Sequence, residues 1–260
     1  KKPKYREIAF HIVPGNHERS QIPHSELSFH PKIHVFTRPR TFVLRRADRT
    51  VAITGFAHTP EIRRRFRDVL AATDWRRIPA QHRFLCMHQC VEGATVGPNG
   101  YRFRRGKDIL PGRDLPVGFD AILAGHIHRH QILRRDLRRR PLPTPVLYPG
   151  AIDRISFAEA EEAKGYLLLT IGPGARQCQW RFRRLPVRPM VSLDLRPDRM
   201  TPQSLTGWLA AQLAALPADA IVRLRIAGRV RASHKRILSA GALRRLAPQT
   251  MNLTTTWVDR

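Results

Sequence analysis

The 260 residues suffice for one large domain or a large and a small one, and 42% hydrophobic residues argue for a packed core rather than a disordered chain. No run approaches the roughly 18 consecutive apolar residues of a membrane span, and the basic opening Lys1-Lys2-Pro3-Lys4 leads into no long apolar segment of a secretory signal. With 47 Lys and Arg against 20 Asp and Glu, the formal charge is +27, a field that attracts polyanions, nucleic acid first among them. Lysine supplies seven of the 47 and arginine the other 40, as GC-rich codon usage would also produce, so part of this charge is expected as solvated surface. Cys86, Cys90 and Cys178 cannot all pair and form no Cys-x-x-Cys, which argues against a disulfide framework or a thiolate zinc site and fits a reducing cytoplasm.

In chain order, residues 8–13 read as an apolar strand, expected deep in a sheet, that runs into Pro14-Gly15-Asn16-His17-Glu18. Residues 41–44, 51–57, 84–87 and 121–124 read as further strands. Thr59 is the expected N-cap of a helix with Pro60 at its first position. Ile62, Phe66, Val69 and Leu70 then share one face, opposite Arg63, Arg64, Arg65 and Arg67. Residues 134–145, rich in arginine and proline, are expected as an exposed loop or hairpin tip. Strands follow at 165–171 and 179–185 around a Gly172-Pro173-Gly174 turn, and composition changes near residues 186–189. Thr201-Pro202 opens a helix with Leu205, Trp208, Leu209, Leu213 and Leu216 on one face and Pro217 at its end. Residues 220–227 then alternate Val222, Leu224 and Ile226 inward with Arg223 and Arg225 outward. Strands alternating with helices predict a layered α/β core over residues 1–186, with a small α+β domain over 187–260.

Three segments share one grammar, an apolar strand and then a loop opening on a metal-competent side chain. They are Val13-Pro14-Gly15-Asn16-His17-Glu18, Leu85-Cys86-Met87-His88-Gln89 and Leu123-Ala124-Gly125-His126-Ile127-His128. In open α/β sheets the loops at the carboxyl ends of strands converge on one crevice, so ligands distant in sequence can meet there. Imidazole nitrogens with an amide oxygen suit manganese, iron or zinc better than magnesium or calcium alone. A single histidine is more often packed or on the surface, and His11, His24, His30, His34, His58, His82, His130 and His234 are read that way.

Together and in this order, the three segments resemble the later motifs of the calcineurin-like metallophosphoesterase superfamily: Gly-Asn-His-Asp/Glu, a lone histidine after a strand, and Gly-His-x-His. Met87-His88-Gln89-Cys90-Val91-Glu92-Gly93-Ala94, the later Tyr101-Arg102-Phe103-Arg104, and Tyr148-Pro149-Gly150-Ala151-Ile152-Asp153-Arg154 resemble its SbcD-type DNA-repair nuclease subgroup more narrowly. The resemblance implies a metallophosphoesterase β-sandwich core flanked by helices, with a C-terminal capping domain. It implies two divalent ions, manganese first, and a metal-dependent nuclease acting at DNA ends as a homodimer with an SMC-like coiled-coil ATPase of the SbcC type. Asn16, His88 and His126 would ligate one ion and His128 the other, with His17 the catalytic histidine that assists the leaving oxygen. If the excess of positive charge is functional, Arg223, Arg225, Arg229 and Arg231 are expected to line one face of the second domain on the cleft side and bind DNA.

The family's first two motifs, Asp-x-His and Gly-Asp-x-x-Asp, should precede residue 8, yet the first aspartate of the chain is Asp48. The expectation is therefore of an N-terminally incomplete nuclease that binds manganese weakly and does not cleave by itself. Two other readings stay open: a phosphoesterase acting on a protein, nucleotide or small-molecule ester, and a catalytically incomplete scaffold that binds DNA or a partner.

Overall fold

The computed structural model describes residues 8–18, 29–46, 49–172 and 178–258. The expected Gly172-Pro173-Gly174 turn and His24 fall at least partly outside them. The chain is mixed α/β and divides into two compact units, residues 1–153 with 162–185, and residues 154–161 with 186–260.

The first unit is built on a six-stranded sheet. Its strands are β3 (Arg40–Arg46), β4 (Arg49–Gly55), β5 (His82–Met87), β6 (Ala121–Ala124), β7 (Gln131–Arg135) and β8 (Pro141–Tyr148). They lie in the order β7-β8-β6-β5-β4-β3. The four inner strands, β8, β6, β5 and β4, run parallel, and each edge strand is antiparallel to its neighbour. Because side chains alternate across a strand, the inner strands bury both faces. Leu85, Met87, Ile122, Ala124, Val146 and Tyr148 pack with Ile62, Phe66 and Leu70 of helix α1 (Ile62–Ala71). On the other face Phe84, Ala121 and Leu147 meet Leu167, Leu169, Ile171 and Trp180. These come from the antiparallel hairpin of β9 (Gly165–Ile171) and β10 (Cys178–Arg184).

Two local expectations are corrected. Residues 8–13 do not lie deep in the main sheet. Only Phe10–Ile12 is strand (β1), it pairs in parallel with Ile33–Val35 (β2), and Phe10 is 54% exposed. This small sheet packs sideways, with His11, His34 and Phe36 against Phe42 of β3. Helix α1 starts at Ile62 rather than Pro60, with Glu61 in a left-handed conformation (φ 54°) as its N-cap. Thr59 is occupied elsewhere: its hydroxyl donates to the Ala57 carbonyl (3.0 Å), and its own carbonyl accepts from Gln89 Nε2 (3.1 Å). Residues 134–145 form the expected hairpin tip, the ends of antiparallel β7 and β8 joined by a turn that Asp136 closes by accepting from the backbone of Arg138 and Arg140.

In the second unit a three-stranded parallel sheet has the order β11 (Met190–Leu195), β12 (Ile221–Ala227), β13 (Asn252–Val258). Parallel neighbours need crossovers, supplied by α2 (Pro202–Ala214) and by α3 (Ala232–Ile237) with α4 (Ala240–Leu246). Strands and helices therefore alternate, rather than segregating as an α+β domain would. Thr201 caps α2 in a reciprocal box with Ser204. Leu205 and Leu209 of α2 pack on Leu224 and Ile226, with Leu238 and Leu243 beside them. The expected domain boundary lies at residues 186–187. The second unit also takes residues 154–161, because Phe157 lies under the Arg223 guanidinium (4.3 Å) and Arg154 Nη1 donates to the Arg188 carbonyl (2.9 Å).

Candidate metal centre

Parallel strands bring the loops at their carboxyl ends to one edge of the sheet. His58 follows β4, His88 follows β5 and His126 follows β6, each within a short loop. The rings gather there, with centroids 5.2 Å apart for His88 and His126, 5.9 Å for His58 and His126, and 6.1 Å for His58 and His88. Asn16 arrives from the loop after β1 and sets its Oδ1 3.1 Å from His88 Nε2 and 3.3 Å from His126 Nδ1. The Asn16 and His58 loops are tied together by the His58 N–H donating to the Pro14 carbonyl at 2.8 Å.

Two glycines make this approach possible. A Cβ at Gly15 would stand 2.7 Å from His88 Cε1, and one at Gly125 would stand 2.8 Å from His88 Nδ1. Both distances are below van der Waals contact, so the imidazole fills the space a side chain would take. His126 itself sits at φ 79°, a left-handed conformation that costs a non-glycine residue of the order of 1–3 kcal/mol and that clusters at functional sites.

Burial favours the neutral form of His88 and His126. His88 is lowered to about 4, first by desolvation and then by the neighbouring His126, with Glu18 pulling the other way. His126 is also lowered, by desolvation first and then by His58, His128 and His17, against an opposing pull from Asp108. A neutral imidazole offers the lone pair a metal requires. Burial pushes the Cys86 and Cys90 thiols up to about 12, which makes neither a ready thiolate.

Asn16, His88 and His126 are therefore in direct contact, while His17 and His128 lie close enough for His126 to feel their charge. His17 is exposed and His128 is half-buried. The His128 carbonyl accepts from Lys164 Nζ and from the Ala151 N–H, both at 3.0 Å. Gly150 (φ 82°) lets the loop after β8 press against this segment, where a Cβ would meet the His128 carbonyl at 2.8 Å. Tyr148, fully buried, donates its hydroxyl to the Gln89 carbonyl and accepts from the Val91 N–H, each at 2.9 Å, which braces the His88 loop.

His58 joins the cluster although the sequence pattern around it reads as structural. A signal is present, since it too follows an apolar strand directly, but the adjacent Thr59-Pro60 reads as a helix start. The other structural histidines lie elsewhere. His130 stacks on Phe182 at 3.9 Å, His82 Nδ1 lies 3.4 Å from Asp120, and His234 Nε2 is 3.0 Å from the Met200 carbonyl.

The set Asn16, His88 and His126 fits a borderline divalent cation. Ligand atoms sharing an ion at about 2.1 Å each must stand within roughly 4 Å of one another, and the contacts to Asn16 Oδ1 do. Glu18 Oε2 is buried beside them without a hydrogen-bond partner among the described residues, an orphaned anionic atom that a cation would compensate. Without an ion, the same contacts are hydrogen bonds from the imidazoles to the amide oxygen.

The four arginines singled out in the second unit differ in their surroundings. Arg223 and Arg225 share the outward face of β12, but Arg223 donates to Ser192 Oγ (2.9 Å) and stacks over Phe157, and Arg225 pairs with Asp194 at 3.2 Å. Arg229 and Arg231 lie beyond the strand, exposed, the latter as the N-cap of α3. Compared with models of known protein families and with curated proteins, the chain gives no match. Among the described residues no helix is long and apolar enough to cross a membrane.

Proposed function

We propose that the chain carries the histidine-rich half of the two-ion phosphodiesterase centre of a DNA nuclease of the SbcD type. The observation that carries this reading is the meeting of Asn16, His88 and His126, whose side chains touch although Asn16 stands 72 and 110 positions from its partners. The order of the elements, a mainly parallel sheet with α1 on one face and the β9–β10 hairpin on the other, supports the layered metallophosphoesterase architecture. Residues 187–260 take the place of the capping domain.

In this reading Asn16, His88 and His126 hold one divalent ion, manganese by preference, and His128 faces a second. Such ions supply charge neutralisation at the attacking and leaving oxygens of a phosphodiester. The chain's own residues do the rest. Gly15 and Gly125 admit His88 to the centre, and Lys164 fixes the backbone of His128. His17, exposed at the rim, is free to hand a proton to the departing oxygen, work suited to an imidazole near neutral pH. A homodimer engaging an SMC-like coiled-coil ATPase is the assembly that accompanies this activity. Manganese titration of the chain and of an Asn16→Leu variant tests the proposal; equal affinity in both would remove its foundation.

A further inference from the structure

Apart from the histidine cluster, the first unit holds a cavity of about 1310 Å³ whose wall carries seven arginines against two carboxylates, Glu92 and Asp136. Codon usage can explain how many arginines the chain has. It does not explain why seven converge on one concave surface, where their mutual repulsion is unfavourable unless an anion enters.

The cavity is built from a short ribbon, Thr95–Val96 paired with Tyr101–Arg102, that turns through Gly97 and Gly100 at positive φ (71° and 62°). Phe103 anchors it: the ring packs on the main core, its N–H donates to the Ala94 carbonyl (2.9 Å) and its carbonyl accepts from the Gly93 N–H (2.8 Å). Arg102, Arg104 and Arg105 project from this rigid base into solvent, and among the described residues their guanidinium groups have no hydrogen bond or ion pair. Across the cavity Arg140 already neutralises Asp136 at 2.7 Å, so that wall presents little free negative charge. At the lip Tyr101 is 63% exposed, its ring held edge-on by Phe103 at a centroid distance of 5.3 Å.

Unpaired guanidinium groups along a groove, with an exposed aromatic ring on a fixed support, match one ligand chemistry well: phosphates at regular spacing with accessible base faces. A duplex covers its base faces by stacking, whereas a single strand offers them. We propose that this groove binds single-stranded nucleic acid, with Arg102, Arg104 and Arg105 on its phosphates and Tyr101 stacked on a base. The same ribbon continues to Asp108, whose carboxylate accepts from the Glu61 N–H (2.6 Å) and is felt by His126, so a bound strand would be led toward the histidine cluster. The groove's ligand does not depend on whether an ion sits at Asn16; only that last consequence rests on the nuclease reading.

The test is fluorescence anisotropy with a labelled oligothymidylate, a blunt duplex of equal length, and inorganic polyphosphate as competitor. The wild-type chain should prefer the single strand at equal salt. Replacing Arg102, Arg104 and Arg105 together by alanine should weaken it and reduce the log–log salt slope by about 0.7 for each phosphate no longer neutralised. Tyr101→Ala should lower oligothymidylate affinity by about 5- to 150-fold, the range expected for removing a base–aromatic stack, while Tyr101→Phe retains it and neither alters competition by polyphosphate. Manganese affinity should stay unchanged in these variants, which separates a damaged groove from a damaged fold. An Asn16→Leu variant should keep its oligothymidylate affinity, so failure of the metal reading would leave the groove standing. A preference for duplex, a triple-arginine variant that binds like wild type, or a Tyr101→Ala variant indistinguishable from Tyr101→Phe would each overturn the proposal.

Discussion

The amide oxygen of Asn16 lies 3.1 Å from Nε2 of His88, and the space for that ring exists only because Gly15 and Gly125 have no side chains. The contact joins the loop after a two-stranded sheet to the loop after a strand of the main sheet, and so couples two elements whose backbones pair separately.

Gly125→Ala should therefore act on the centre rather than on the fold. The added methyl group would stand 2.8 Å from His88 Nδ1 and force the ring away from Asn16. Manganese affinity should fall by about 10- to 100-fold, the usual effect of disturbing the support of a ligand, with the unfolding midpoint in urea little changed. Calorimetric titration beside a urea melt distinguishes the two effects.

Lys164 has a fully buried side chain, and its ammonium group donates to the His128 carbonyl (3.0 Å) and to Glu162 Oε2 (3.2 Å). Lys164→Met removes the cation and leaves a buried carboxylate with less compensation, although Arg129 still holds Glu162 at 3.0 Å. Stability measured by urea denaturation should drop by about 3 kcal/mol. A loss below about 1 kcal/mol would mean that Arg129 alone suffices.

The three strand-then-ligand segments are legible in the sequence because each is local: an apolar run, a glycine or tight turn, then the side chain. That His88 and His126 converge follows from parallel order, which the alternation of strands and helices already suggests, whereas Asn16 joins them from a separate two-stranded sheet. What local pattern could not show is tertiary. Thr59-Pro60 looks like a helix start, but Thr59 is drawn into bracing Gln89, the helix begins only at Ile62, and the His58 ring lies 6.1 Å from that of His88. Residues 8–13 look like a core strand by hydrophobicity alone, yet pairing with Ile33–Val35 leaves Phe10 half exposed. Arg223 and Arg225 alternate outward as expected, but their partners Ser192, Phe157 and Asp194 come from elements distant in sequence.

The neighbouring roles of His17 and His126 should separate on mutation. His126→Ala removes a donor and should lose manganese. His17→Ala should leave manganese and DNA affinity nearly intact. In a chain that also carries Asp-x-His and Gly-Asp-x-x-Asp segments, it should slow single-turnover cleavage by about 10²–10⁴, the contribution of a positioned acid or base. If His17→Ala loses the metal as His126→Ala does, His17 is a ligand or a support instead.

Acid should destabilise the first unit through His11. Desolvation, with His34 beside it, lowers His11 to about 4 from an ordinary 6.5. Between those values the unfolded chain binds a proton that the folded chain does not, so stability is full above pH 6.5 and is lost as pH falls toward 4. His11→Phe, which keeps an aromatic ring against Phe36 and Phe42, should flatten that slope in urea melts taken across the same range. Parallel pH profiles for the two proteins would assign the acid sensitivity to other groups.

Manganese binding to the chain and to Asn16→Leu, His88→Ala and His30→Ala variants, measured by isothermal titration calorimetry, bears most directly on the centre. The account predicts saturable binding by the wild-type chain, weakened by more than about tenfold in the first two variants and unchanged in His30→Ala, whose exposed side chain accepts from the Lys32 N–H. No saturable binding, or equal affinity in all four proteins, would contradict it.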